Sequence, residues 1–184
     1  MIALLALSGS LRVGSSNAAA LRAAELLAPD GVRVVHFAGI SDLPHFNPDL
    51  DTAPAPPAVA ALREAVGAAD GLLISCPEYA RGIPGAFKNA FDWLVSGTEM
   101  NDKPVALINA SPRASAAQEV LRLVLATIGA RLVDDASVTV ALLAKNMTGE
   151  MIAADPELAT TIRTGIARFA EAIRMGVPES APIS

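Results

Sequence analysis

Cysteine is almost missing from this chain of 184 residues. Cys76 stands alone, which excludes an intramolecular disulfide framework and predicts a reducing compartment, the cytoplasm. At the end of an apolar run it reads as a small buried hydrophobe. Histidine is scarce too: His36 and His45 are far apart and share no cysteine or carboxylate framework, so no metal site is expected. Charged residues make up only 18%, with 14 basic against 19 acidic side chains and a net charge of −5. No run rich in lysine and arginine occurs, which argues against a nucleic-acid partner; an anionic ligand must be held by local groups. No apolar run is long enough to span a bilayer. The first residues lack the basic start and small-residue cleavage site of a signal peptide, so neither membrane nor export is expected. Nor is there a G-x-S-x-G elbow to make Ser8, Ser10 or Ser15 a hydrolase nucleophile.

Hydrophobic residues, by contrast, reach 52%, so the chain is expected to fold as a single domain. The last residues, about 176–184, carry Pro178 and Pro182 and read as a loose tail. Apolar or β-branched runs at 1–7, 32–37, 72–76, 104–109 and 131–140 predict five strands, the last bent at Asp134 and Asp135. Helical spacing follows at 18 onward, 58–69, 86–96, 115–129 and 156–175. Such alternation predicts an α/β fold, a doubly wound five-stranded parallel sheet with helices on both faces. Asp70 and Asp155 read as turn residues. The proline-rich stretch 38–57 is expected to be an ordered surface loop that walls the entrance to a site.

Ligands of such sheets sit outside the carboxyl ends of the strands, so the loops after the first, third and fourth strands are expected to meet. The first, Ser8-Gly9-Ser10-Leu11-Arg12-Val13-Gly14-Ser15-Ser16-Asn17, joins a buried strand to a helix. Helix N-termini present unpaired amides and partial positive charge. Gly9 and Gly14 would let backbone approach an anion, Ser10, Ser15 and Ser16 offer hydroxyls, and Arg12 adds a full charge. Capping by Ser15 or Ser16 is the plainer alternative, though a cap alone does not call for two glycines, three serines and an arginine. The loop misses the lysine of G-x-x-x-x-G-K-[ST], where Ser15 stands, and the second glycine of G-x-G-x-x-G, where Leu11 stands. A single phosphomonoester, as in FMN, suits it better than a chain of phosphates.

The third-strand loop is Cys76-Pro77-Glu78-Tyr79-Ala80-Arg81-Gly82-Ile83-Pro84-Gly85. Its prolines and glycines impose an unusual backbone path, suited to presenting main-chain groups to a flat heterocycle. The only tyrosine, Tyr79, is assigned to the ligand side, and the only tryptophan, Trp93, to packing inside the next helix. Glu78 reads either as an acid near a ring or as a structural acceptor for loop amides.

Gly9-Ser10-Leu11-Arg12 with Ser15 and Asn17, joined to Pro77-Glu78-Tyr79 and Pro84-Gly85-x-x-Lys88-Asn89-Ala90-x-Asp92-Trp93, resembles the NADPH-dependent FMN reductase family, which includes chromate and quinone reductases and azoreductase relatives. The resemblance runs from Ile2 to about Leu143. It implies a flavodoxin-like fold that binds FMN and passes hydride from NADPH or NADH to a small-molecule electron acceptor. Carried over, Ser10, Arg12, Ser15, Ser16 and Asn17 would hold the FMN phosphate, and Pro77, Glu78, Tyr79, Ala80, Arg81 and Gly82 would edge the ring. The loop Ala110-Ser111-Pro112-Arg113 would close the other side, and a homodimer or homotetramer would be the working form. Two departures stand out: Ala80 where the family often has asparagine, and a fourth-strand loop without glycine, in which Arg113 would reach the flavin or the NADPH phosphate. The flavin would do the hydride chemistry, so no catalytic side chain is expected. A flavodoxin-type electron carrier, and a phosphate-binding regulatory module, are the competing readings.

Overall fold

A computed structural model describes residues 1–113, 115–142 and 146–176. The expected loose tail falls almost wholly outside them, as does Ala114 of the fourth-strand loop. The sheet is built from β1 (Ile2–Ser8), β2 (Val32–His36), β3 (Gly71–Ser75), β4 (Pro104–Asn109), β5 (Arg131–Leu132) and β6 (Val138–Thr139). Its strands run in the order β2-β1-β3-β4-β5, and every pairing is parallel. The helices are α1 (Ser16–Leu26), α2 (Pro57–Ala68), α3 (Gly85–Leu94), α4 (Ser115–Thr127), α5 (Gly149–Ala154) and α6 (Pro156–Met175).

Because parallel strands alternate their side chains between two covered faces, two cores form. Leu4 and Ala6 of β1 pack with Ala20 and Leu21 of α1, Ile152 of α5 and Ile162, Ile166 and Phe169 of α6. Leu5 and Leu7 pack on the opposite face with Leu62 of α2, Phe87 and Phe91 of α3, and Leu121 and Leu125 of α4. In α6 the apolar row Leu158, Ile162, Ile166 and Phe169 recurs at helical spacing. Its start is fixed by Asp155, whose Oδ1 accepts from the amides of Glu157 and Leu158 at 3.1 and 3.0 Å.

The sheet has six strands where five are expected. A 3₁₀ turn at Asp134–Ala136 splits the last predicted strand where its two aspartates forecast a bend. Leu132 pairs with Val105 and Val138 with Ile108, so six residues of this segment pass alongside three of β4. The surplus residues form the turn, and Ser137 Oγ accepts the Leu107 amide at 3.1 Å between the two pieces. Helix α5 was not foreseen; it is too short for a periodic signal and rests against α1, where Gly149 lies on the Arg22 side chain.

Residues 38–57 are ordered by side chains of α2 and α3. Asn89 donates through Nδ2 to the Pro44 carbonyl at 2.9 Å and accepts the Phe46 amide at 2.7 Å. Trp93 Nε1 donates to the same carbonyl at 2.8 Å, and the Phe46 ring meets the indole edge-on at 5.0 Å. Trp93 is fully buried, the packing role expected of it. Arg63 ties Asp51 to the end of α3, donating to Asp51 Oδ1 and to the Trp93 carbonyl. The proline-rich stretch is therefore strapped to the helices, and none of its residues is among those that line the cleft described next.

Candidate functional site

The strand order reverses between β1 and β3, and the carboxyl ends of β1, β3 and β4 open there. A cleft of about 490 Å³ lies at that point. Of the residues singled out from sequence, Ser10, Arg12, Ser15, Ser16, Asn17, Pro77, Glu78, Tyr79, Ser111 and Arg113 line it together. Ala80, Arg81 and Gly82 do not; they form the tip of a hairpin beside it. The amides and carbonyls of Tyr79 and Gly82 exchange 3.0 Å hydrogen bonds, and Ala80 and Arg81 between them have positive φ of 50° and 62°. Two left-handed residues in succession make a tight turn that usually selects asparagine and glycine. Tyr79, 52% exposed, stands at the base of this tip.

Three hydroxyls along the cleft each accept one local amide. Ser15 caps α1, its Oγ taking the Asn17 amide at 3.2 Å. Ser10 Oγ takes the Arg12 amide at 3.4 Å, and in the fourth-strand loop Ser111 Oγ takes the Arg113 amide at 3.3 Å. All three close the same local turn, two residues long, so the remaining capacity of each hydroxyl includes its proton. Gly14, with φ of 71°, turns the chain into the helix. Gly9 has another reason to be glycine: a Cβ there would stand 2.9 Å from Cys76 Sγ and 3.0 Å from the Phe87 ring. Close packing of β1 against the third loop, rather than approach to an anion, demands it.

Charge in the cleft is biased. Arg12 and Arg113 supply cations, and Glu78 is the one carboxylate in the lining. Glu78 is engaged by its own protein: Oε2 accepts the Ala117 amide in the first turn of α4 at 3.1 Å, the structural alternative of its two readings. Cys76, also in the lining, is 1% exposed, and burial pushes its thiol up to about 12, so it stays protonated and unreactive. Below the loop, Asn17 is held from the core. Ser75 Oγ lies 2.9 Å from Asn17 Oδ1 and 2.6 Å from the Ile108 carbonyl oxygen.

Sequence reasoning missed Asn146, which lines the cleft from the far end of the chain. Its φ of 43° fits an asparagine in a turn, but its loop follows the last strand, outside the three loops expected to meet at the site. His36, expected to be a plain strand residue, ends β2 and places Nε2 3.1 Å from Glu25, away from the cleft. Among the described residues no group of three or more histidine, cysteine or acidic side chains is arranged to hold a metal ion.

A β2-β1-β3-β4-β5 sheet with a donor-lined cleft at the β1/β3 switch defines a flavodoxin-like fold. Residues 2–144 match the model of the NADPH-dependent FMN reductase family, and the chain belongs to that family. An NAD(P)H-dependent FMN reductase of Pseudomonas aeruginosa is 44% identical over 112 residues, 60% of this chain and 60% of that protein. The quinone reductase of Escherichia coli K12 is 40% identical over 101 residues, 54% of this chain and 52% of that protein. The chain thus spans between half and two thirds of the length of these relatives. In structure it is similar to FerB, a flavoenzyme NAD(P)H:(acceptor) oxidoreductase from Paracoccus denitrificans, with a TM-score of 0.80 and 27% identity over 95% of this chain and 98% of that one.

Proposed function

We propose that this protein is an FMN-dependent NAD(P)H oxidoreductase acting on small-molecule acceptors such as quinones, azo compounds, metal oxyanions or free flavin. The observation that carries the reading is the donor set of the cleft. Ser10, Ser15 and Ser111 each accept one local amide and keep a proton to donate, Arg12 and Arg113 add charge, and the carboxylate of Glu78 is tied to the first turn of α4. That chemistry fits a terminal phosphate and disfavours a cationic ligand.

Under this reading Ser10, Arg12, Ser15, Ser16 and Asn17 hold the FMN phosphate. Pro77, Glu78 and Tyr79, with the hairpin Ala80-Arg81-Gly82 beside them, border the ring on one side, and Ser111 and Arg113 on the other. When bound, FMN supplies the hydride chemistry, taking reducing equivalents from NADPH or NADH and giving them to the acceptor. The chain's own residues bind, orient and border that group. A reduced, buried Cys76 suits a cytoplasmic setting, and no described helix is long and apolar enough to cross a membrane. The half-exposed Tyr79, and Val120 and Leu123 on the outer face of α4, favour a homodimer or homotetramer as the working form.

The test is the visible spectrum of the protein reconstituted with FMN, before and after NADPH. A yellow protein that bleaches with NADPH and recovers on adding a quinone is expected. FMN that stays oxidised in the presence of NADPH would favour an electron carrier, and failure to take up FMN would refute the reading.

A further inference from the structure

Among the described residues Ser75 is the buried polar side chain with no exposure at all. It ends β3 and bonds to the first loop, to α1 and to β4. Its carbonyl accepts the Gly9 amide at 2.9 Å, at the start of the first loop. Its hydroxyl lies between two oxygens, Asn17 Oδ1 at 2.9 Å in the first turn of α1 and the Ile108 carbonyl at 2.6 Å in β4. A hydroxyl has one proton, and an amide oxygen can only accept. The proton therefore serves one of these neighbours at a time.

Each choice fixes what Asn17 shows to the cleft. With the proton on Asn17 Oδ1, the Nδ2 end is turned away from Ser75 and donates to no other described residue. Its two protons are then free for a ligand in the cleft that Asn17 lines. With the proton on Ile108, Ser75 can only accept from Asn17, so the carboxamide must make a half-turn that sends its oxygen outward. The two ends of a carboxamide are nearly equal in shape, so packing does not choose between them. An anion does, because it attracts the nitrogen end and repels the oxygen.

We propose that Ser75 is a positioning residue of the phosphate site, whose hydroxyl orientation sets which end of the Asn17 carboxamide faces the cleft. The change is a rotation about the serine C–O bond with a half-turn of the amide; no covalent bond forms or breaks. Anion binding and the Ser75–Asn17 hydrogen bond then reinforce one another, although Ser75 itself is sealed from the ligand. The inference rests on the phosphate reading of the cleft given above.

The experiment compares FMN with riboflavin, which lacks the phosphate, on wild type and Ser75→Ala by flavin fluorescence quenching. The expected result is a loss of FMN affinity of roughly three- to tenfold in the variant, the scale of one neutral hydrogen bond, with riboflavin affinity changed less than about twofold. Equal weakening of both flavins would mean general damage to the sheet end and overturn the proposal, as would an unchanged FMN affinity. Wild type that binds no FMN would overturn the cofactor reading and this proposal with it; wild type that binds FMN while the variant binds it equally well defeats the proposal alone. Should Ser75→Ala not fold, the side-chain amide signal of Asn17 in wild-type apoprotein is followed by NMR while inorganic phosphate is added. It is expected to shift with occupancy, and a signal that stays still while phosphate protects the apoprotein against heat overturns the proposal.

Discussion

Glu78 Oε2 accepts a hydrogen bond from the Ala117 amide at 3.1 Å, joining the loop after β3 to the first turn of α4 across 39 residues of sequence. The carboxylate meets the positive end of a 13-residue helix and satisfies an amide that has no partner within it. Removing it by Glu78→Ala is expected to lower stability by about 1 kcal/mol, while Glu78→Gln retains part of that. Urea unfolding checks this through a lower midpoint at unchanged slope. The same variant is expected to release FMN several-fold faster, because Pro77 and Tyr79 lose the tether of their loop.

Ala80 and Arg81 stand in the left-handed region at the tip of the hairpin. A Cβ in that region costs about 1–2 kcal/mol per residue, and a glycine avoids it at a smaller cost in unfolded-state entropy. Ala80→Gly is accordingly expected to raise stability by about 0.5 kcal/mol, and Ala80→Val to lower it by more than 1 kcal/mol. A rise in Tm for the glycine variant and a fall for the valine variant is the pattern to look for.

Gly9→Ala places a methyl 2.9 Å from Cys76 Sγ and 3.2 Å from the Cys76 Cα. Overpacking of this kind is expected to cost about 1–3 kcal/mol. The double variant Gly9→Ala, Cys76→Ala makes room by removing the sulfur, so its loss is expected to be smaller than the sum of the two single losses. A double-mutant cycle on denaturation free energies measures that coupling.

Burial pushes the Cys76 thiol from its ordinary 9.0 up to about 12. In native protein it is expected to resist iodoacetamide at pH 8 and to react fully in denaturant. The raised value also has a thermodynamic sign. Below pH 9 the thiol is protonated in both states; between pH 9 and 12 the unfolded chain loses that proton while the folded one keeps it, so stability falls as pH rises. Cys76→Ala is expected to decline less steeply over that alkaline window, measured as Tm against pH.

Local chemistry wrote much of this molecule into its sequence. Continuous apolar runs and helical spacing determine the elements, since burial on both faces of a strand and on one stripe of a helix leaves a direct record in the pattern. The serine-rich turn after β1 was legible as the entry to a helix because serine is a preferred cap, as Ser15 shows. Other features depend on partners distant in the chain. Gly9 is set by Cys76 and Phe87, Glu78 by Ala117, Asn17 by Ser75, and the path of residues 38–57 by Asn89 and Trp93. Asn146 joins the cleft only because the chain returns there after the last strand. A sequence records what each residue prefers; which oxygen meets which amide is decided when β1, β3 and β4 come side by side, because hydrogen bonds and close packing act only at contact.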